Sequence, residues 1–144
     1  MSLFGFTKNK MRRIVIIGCG RLGALLATTF SENGNTVLII DSSKTSFQKL
    51  SASFGGLSIV GNALYMEVLA QAHIDQNTSV ICVTDNDNTN IMVAQMAKAL
   101  FLADTVIARL YDPEKDCVYQ EQNILTICPS TLAHHEIFGL LTEE

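Results

Sequence analysis

Tryptophan is absent from the 144-residue sequence, proline occurs only twice, and 17% of the residues are charged, against roughly 25% in a typical globular domain. With 48% hydrophobic residues, the composition excludes a disordered chain. A chain of this length is expected to form one domain with a single core. The shortage of charge predicts either that another subunit covers part of the apolar surface, or that a core-rich sheet carries helices on both faces.

An excess of positive charge is also missing, because the net charge is −4 and the pI is about 5.3. This balance argues against nucleic-acid binding, which requires a basic surface. A small basic run at residues 8–13 is interpreted as a solvated amino-terminal arm, with an anionic-lipid or phosphate contact as the alternative. We expect residues 1–12 to form a tail and residues 13–144 to form the domain.

Neither a C-x-x-C pair nor a long apolar run is present. The cysteines at positions 19, 82, 117 and 128 lie far apart, which argues against a zinc site or a redox pair and predicts isolated buried thiols. No apolar run approaches the ~20 residues of a membrane helix. The stretch before Cys19 resembles a signal-peptide core, but its apolar part is too short for one. We therefore expect a folded strand there, and a cytoplasmic protein without a metal site.

Short apolar runs alternate with helical patterns along the whole chain. Strands are predicted at residues 14–17, 36–40, 57–60, 79–83, 105–110 and 124–127. Helices are predicted at residues 22–30, from 42 or 43, at 64–72, at 88–100, from 112 and from 129. This alternation predicts an α/β fold: a Rossmann-like, doubly wound parallel sheet of about six strands in three αβα layers.

A glycine-rich turn joins the first predicted strand to the first predicted helix, the context in which G-x-G-x-x-G predicts a dinucleotide site. Its residues are Gly18, Cys19, Gly20, Arg21, Leu22 and Gly23. Gly18 permits the tight turn, Gly20 lets a pyrophosphate approach the backbone, and Gly23 lets helix and sheet pack closely. The helix start offers N–H groups to phosphates. Arg21 either contacts those phosphates or forms a surface salt bridge.

Asp41 ends the second predicted strand and is followed by Ser42. A carboxylate at this place accepts hydrogen bonds from the hydroxyl groups of a ribose, and its charge repels a 2′-phosphate, which disfavours NADP. The alternative is that Asp41 caps the helix that follows it. Together with the glycine turn, Asp41 predicts that the domain binds a nucleotide.

Further polar residues follow the third and fourth predicted strands. Asn62 and Ala63 follow the third strand, and Thr84, Asp85 and Asn86 follow the fourth. The carboxyl ends of parallel strands are where open sheets bind ligands, so these residues are candidate members of the nucleotide pocket. The second stretch has oxygen ligands suited to a hard cation, but it lacks the glycine and glutamate of an EF-hand loop. A polar turn with a helix cap is the favoured interpretation.

Arg109 is a cation near the end of an otherwise apolar strand. We expect it to pair with Asp85 or Asp87, with a contact to a ligand phosphate as the alternative.

An NAD-dependent oxidoreductase, or the nucleotide module of a larger enzyme, is the competing interpretation. Tyr111 and Lys115 have the Tyr-x-x-x-Lys spacing of short-chain dehydrogenases. Because Asp112 and Pro113 begin a helix between them, the two side chains are not expected to share a helical face. No catalytic residue is therefore predicted.

The ordered set of motifs is similar to the RCK amino-terminal domain, also called KTN or TrkA-N, of potassium channel and transporter regulators. The resemblance runs from about residue 13 to 132. Its marks are the glycine turn at 18–23, Asp41, the G-N-A triplet at 61–63, T-D-N-D-N-x-N at 84–90 and I-A-R at 107–109.

The resemblance implies a regulatory domain that binds NAD(H), ATP, ADP or AMP at residues 18–23 and at Asp41, without catalysis. Arg21 would lie over the phosphates, and Asn62 and Ala63 near the adenine. Such domains form homodimers or larger rings on the cytoplasmic side of a membrane potassium channel or transporter. Nucleotide exchange changes the pair geometry and gates ion flow.

This sequence departs from the family at two places. Asn62 stands where the family usually has an acid, so contacts to the base or ribose are expected to differ there. Many members also have a second, carboxyl-terminal regulatory domain, and this sequence ends at Glu144. The apolar helix predicted at residues 130–141 resembles the family's crossover helix, which packs on a partner; without a partner, its own sheet would have to cover it.

Overall fold

A computed structural model describes residues 11–115 and 122–142 of the chain. Six parallel strands form one sheet in the order β3-β2-β1-β4-β5-β6. They are β1 (Arg13–Ile17), β2 (Thr36–Asp41), β3 (Leu57–Val60), β4 (Thr78–Cys82), β5 (Thr105–Arg109) and β6 (Leu125–Ile127). Flanked by helices, this sheet confirms the predicted Rossmann-like α/β fold. The strand order reverses beside β1, which places the ligand crevice of such sheets at its carboxyl end.

The described residues also form four α-helices and two 3₁₀ segments. The helices are α1 (Arg21–Glu32), α2 (Met66–Ala70), α3 (Asp87–Ala99) and α4 (Pro129–Thr142). The 3₁₀ segments are Lys44–Lys49 and Pro113–Lys115. The continuation of the helix predicted from residue 112, and Cys117 within it, lie outside the described residues.

The helix predicted after β2 is wrong, because the chain forms only the 3₁₀ segment Lys44–Lys49 and then extends at Leu50. The Asp41 carboxylate provides the physical reason, since a side chain that binds nearby backbone groups competes with a helix. The hydroxyl groups of Ser43 and Thr45 lie 3.0 Å apart, and the Asp41 carboxylate accepts the Ser43 N–H at 2.8 Å. The apolar side chain of Phe47 nevertheless packs on the core.

Helix α2 is shorter than predicted for a related reason. The Asn62 side chain accepts the Leu64 N–H at 2.9 Å, so a turn occupies the first predicted helical residues. The chain after α2 then reaches His73, whose φ of 52° is left-handed and ends the helical path.

Two buried layers, one on each face of the sheet, form the core. Helix α1 covers one face through Gly23, Ala24 and Ala27, all buried. The opposite layer includes Leu69 of α2 and Val93 of α3. Burial on both faces explains why β1, β2 and β4 are nearly continuous apolar runs, whereas the edge strands β3 and β6 are largely exposed.

Helix α4 differs from the other helices, because none of its residues is buried. Its own sheet does not cover the predicted apolar residues. The exposed large side chains of α4 are Leu132, Ile137, Phe138, Leu140 and Leu141.

Two of the described cysteines, Cys19 and Cys82, are buried as predicted, whereas Cys128 is partly exposed. Within the described ranges, no helix combines the length and the hydropathy that crossing a membrane requires.

Candidate functional site

Each glycine of the turn after β1 meets a different environment. Gly18 has a φ of 109°, and a Cβ there would lie 2.9 Å from the backbone of Val83 and Thr84. A Cβ on Gly23 would overlap the carbonyl oxygen of Gly18. A Cβ on Gly20 would have no atom within 4 Å. Gly18 and Gly23 are therefore required for packing, whereas Gly20 leaves an open space above the backbone.

The amino terminus of α1 opens beside this turn. Gly20 is its N-cap residue, so no side chain caps the first N–H groups. The first turn also contains no acidic residue. Unpaired N–H groups and the positive end of the helix dipole therefore remain for an anion.

A cavity of about 380 Å³ lies at this turn, at the carboxyl ends of the strands. Nine predicted site residues line it: Gly18, Cys19, Gly20, Asp41, Ser42, Ala63, Thr84, Asp85 and Arg109. Three further polar or glycine positions that the sequence did not predict also line it: Ser46, Lys49 and Gly61. The structure thus brings together residues from the ends of five strands.

Five predicted site residues do not line the cavity: Arg21, Leu22, Gly23, Asn62 and Asn86. Asn86 caps α3 by accepting the Thr89 N–H at 2.9 Å, and Asn62 holds the turn before α2. Arg21 is exposed and borders a neighbouring depression of about 260 Å³. The asparagines therefore have local structural roles in the structure.

The Asp41 carboxylate fixes the turn to the end of β2. Its Oδ2 accepts the Cys19 N–H at 2.7 Å, and its Oδ1 accepts the Ser43 N–H at 2.8 Å. A carboxylate oxygen can accept more than one hydrogen bond. Asp41 therefore retains acceptor capacity toward the cavity. The alternative role as a helix cap is wrong, because Ser43 is the N-cap residue of the 3₁₀ segment and no side chain caps it.

Cys19 forms part of the cavity wall and is buried. Its Sγ donates to the Ser46 carbonyl at 3.4 Å. Burial raises the pKa of the thiol, as does the Asp41 charge, and Lys49 opposes this by a smaller effect. The thiol is therefore protonated at neutral pH and serves as a small apolar wall residue.

Asn90 of α3, which is completely buried, does not line the cavity but holds the residues of its opposite wall. Its Oδ1 accepts from the Thr84 N–H at 3.0 Å and from the Thr84 hydroxyl at 2.7 Å. Its Nδ2 donates to the carbonyls of Thr84 at 3.1 Å and of Arg109 at 2.9 Å. One amide thus joins the ends of β4 and β5. The sequence did not identify Asn90 as a site residue; the only signal was its place at the end of T-D-N-D-N-x-N.

The predicted pairing of Arg109 with Asp85 or Asp87 is wrong. Its Nη2 donates to the carbonyls of Val83 and Thr84, both at 3.0 Å. Its Cζ lies 5.0 Å from the ring centroid of Tyr111. Its Nε is buried without a hydrogen-bond partner among the described residues.

Asp87 is unavailable to Arg109 because backbone groups occupy its carboxylate. It accepts the N–H of Tyr111 at 2.8 Å and that of Asp112 at 3.0 Å, and the Lys115 ammonium lies 3.9 Å away. These bonds hold the chain after β5 against the start of α3. Within the described part of the chain, no three His, Cys, Asp or Glu side chains converge as metal ligands would.

Comparison with known proteins agrees with this architecture. The family model of the TrkA-N domain matches residues 14–128. The chain is 40% identical over 114 residues to the Trk system potassium uptake protein TrkA of Streptomyces coelicolor, covering 79% of this chain and 51% of that protein. The chain therefore spans about half the length of this curated relative.

Solved structures share the fold at lower identity. The TrkA-N domain of the inner membrane protein ybaL from Escherichia coli superimposes with a TM-score of 0.79 at 20% identity, covering 92% of this chain and 98% of that one. The GsuK channel bound to NAD gives a TM-score of 0.67 at 15% identity, covering 83% of this chain and 22% of that one. Together with the family match and the relative from Streptomyces, the glycine turn and its cavity establish that the chain belongs to the TrkA-N domain family.

Proposed function

We propose that this domain is a nucleotide sensor that regulates a potassium uptake system, with NAD(H), ATP, ADP or AMP as a ligand that is not consumed. The observation that carries the proposal is the cavity at the glycine turn, where Gly20 leaves the backbone bare and the start of α1 is uncapped. Its relatives include potassium uptake proteins, and the similar GsuK channel binds NAD.

Three features of the cavity support this proposal and suggest how the ligand binds. Phosphates lie against the bare backbone at Gly18 and Gly20, because main-chain N–H groups at a helix start attract anions. The ribose hydroxyl groups donate to Asp41, whose oxygens retain acceptor capacity. The base lies toward Gly61 and Ala63, which line the cavity at the end of β3.

A sensor needs two arrangements of the protein that bind the ligands with different affinity. Exposed apolar residues of α4 provide a surface that a second copy covers, so that a homodimer or ring transmits the nucleotide state to a membrane partner. This assembly acts at the cytoplasmic face of the membrane. The acidic chain has no role in binding nucleic acid.

The alternative oxidoreductase function lacks a catalytic pair. The Tyr111 ring stacks on the Arg109 guanidinium, and the Lys115 ammonium lies near Asp87. Each member of the Tyr-x-x-x-Lys spacing is thus held by a different structural contact, which supports binding without chemistry.

Native mass spectrometry of the untreated protein tests the proposal, because it reports subunit number and retained nucleotide together. Titration calorimetry with NADH, NAD, ATP, ADP and AMP then ranks the ligands. We expect a bound nucleotide or measurable affinity for at least one of them. Absence of binding to all five would overturn the proposal, and steady NADH oxidation with 2-hydroxy or keto acids would favour the oxidoreductase.

A further inference from the structure

Lys49 lies in the cavity wall although nothing in the local sequence identifies it as a site residue. It is the last residue of the 3₁₀ segment Lys44–Lys49 and lines the cavity together with Ser46. It also borders the neighbouring depression that contains Arg21.

If Lys49 is left out, the charges around the cavity disfavour the binding of an anion. Two carboxylates, Asp41 and Asp85, face two cations, Lys49 and Arg109. One amino group of Arg109 is already bound to two backbone carbonyls. A nucleotide adds further negative charge to a site where both carboxylates repel it.

Lys49 is the exposed cation of the cavity wall, and its ammonium can approach the negative charge of a ligand. Its side chain is exposed, and its ammonium forms no ion pair with a carboxylate of residues 11–115 or 122–142. Its field nevertheless reaches the glycine turn, because it lowers the pKa of Cys19 against the larger opposing effect of burial. An ammonium on a flexible stem can follow phosphates of different length.

We propose that Lys49 is a phosphate-binding residue of the cavity and makes its affinity depend on how many phosphate charges the nucleotide carries. This inference rests on the proposed nucleotide site and adds its selectivity. Lys49 contributes little to AMP binding, more to ADP and most to ATP, because each added phosphate increases the charge that the ammonium neutralises.

The test compares Lys49→Gln, Lys49→Arg and Lys44→Gln by calorimetry with AMP, ADP and ATP, without divalent cations. Lys44 is the matched control, since it lies on the same 3₁₀ segment and is exposed but does not line the cavity. We expect Lys49→Gln to weaken ATP binding about five- to twentyfold and AMP binding by less than about threefold. Lys49→Arg should retain most of the affinity, and Lys44→Gln should match the wild type.

Three results would overturn the inference: unchanged ATP affinity in Lys49→Gln, equal losses for all three nucleotides, or the same loss in Lys44→Gln. A wild-type protein that binds none of the nucleotides would instead overturn the proposed site itself. All three variants change exposed side chains, so thermal unfolding should show the same stability as the wild type.

Discussion

The two walls of the cavity are built in different ways. One wall, at the ends of β1 and β2, consists of bare backbone around Gly18 and Gly20, fixed by the carboxylate of Asp41. The other wall, at the ends of β4 and β5, is held by one buried side-chain amide, that of Asn90. The first wall therefore depends on the conformational freedom of glycine, and the second on a hydrogen-bond network inside the core.

This difference determines how each wall responds to substitution. In the glycine wall, packing and ligand access depend on different residues. Gly23 is crowded by backbone and affects packing, whereas Gly20 is open and affects access of the ligand. In the amide wall, packing and ligand position are coupled, because Asn90 contacts the backbone of two cavity residues. Four predictions follow this contrast.

The largest effect is expected for Gly23→Ala. Its Cβ would overlap the Gly18 carbonyl oxygen, and both groups are backbone, so neither can rotate away. We expect a loss of at least about 4 kcal/mol in the free energy of unfolding, measured with urea. Gly20→Ala is the matched control, with a change below about 1 kcal/mol. Equal stability of the two variants would contradict the packing role of Gly23.

Asn90→Ala should destabilise the protein by about 3 kcal/mol. The substitution leaves partly buried backbone groups of Thr84 and Arg109 without their partner. We also expect weaker nucleotide binding, since both residues line the cavity. Asn88→Ala, an exposed neighbour on α3, serves as the control in the same unfolding and binding experiments. A variant as stable as the wild type would show that the amide wall does not depend on Asn90.

Gly20→Val should separate ligand access from folding. Its side chain occupies the open space above the turn, so the fold stays intact while phosphates are excluded. We expect nucleotide affinity to fall about a hundredfold or more, roughly 3 kcal/mol. Calorimetry gives the affinity, and circular dichroism verifies the fold. Wild-type affinity in this variant would place the phosphates elsewhere.

Asp41→Ala should have the smallest of the four effects. It removes the acceptor of the ribose hydroxyl groups and also the bonds to Cys19 and Ser43. We expect NADH and ATP binding to weaken by about 1–3 kcal/mol. Asp104→Ala, at the opposite end of the sheet beside β5, provides a charge-matched control. Unchanged calorimetric affinity in Asp41→Ala would remove this residue from the site.

Much of the fold was predictable because its signals are local. Short apolar runs predicted all six strands, with their ends shifted by one residue or less. The signal is strongest in β1, β2 and β4, which are buried on both faces of the sheet. The glycine spacing predicted the position of the turn, because Gly18 and Gly23 meet backbone that no side chain could approach.

The two wrong predictions, for the segment after β2 and for Arg109, have a common cause: a carboxylate binds backbone N–H groups. The 3₁₀ segment Lys44–Lys49 replaces a predicted helix because the Asp41 carboxylate binds the Ser43 N–H, a local contact that apolar periodicity does not show. Arg109 was paired with the wrong residues because charge alone does not reveal that Asp87 already binds two N–H groups.

The sequence by itself determined where the strands lie along the chain, the position of the glycine turn and the acid at the end of β2. These features depend on the conformational preferences of neighbouring residues. Only the tertiary structure decided which distant groups meet. It brought Lys49 into the cavity, joined β4 to β5 through Asn90, and left α4 without cover from its own sheet. Contacts of this kind depend on how the layers pack around the sheet, and residue type and spacing alone do not specify that packing.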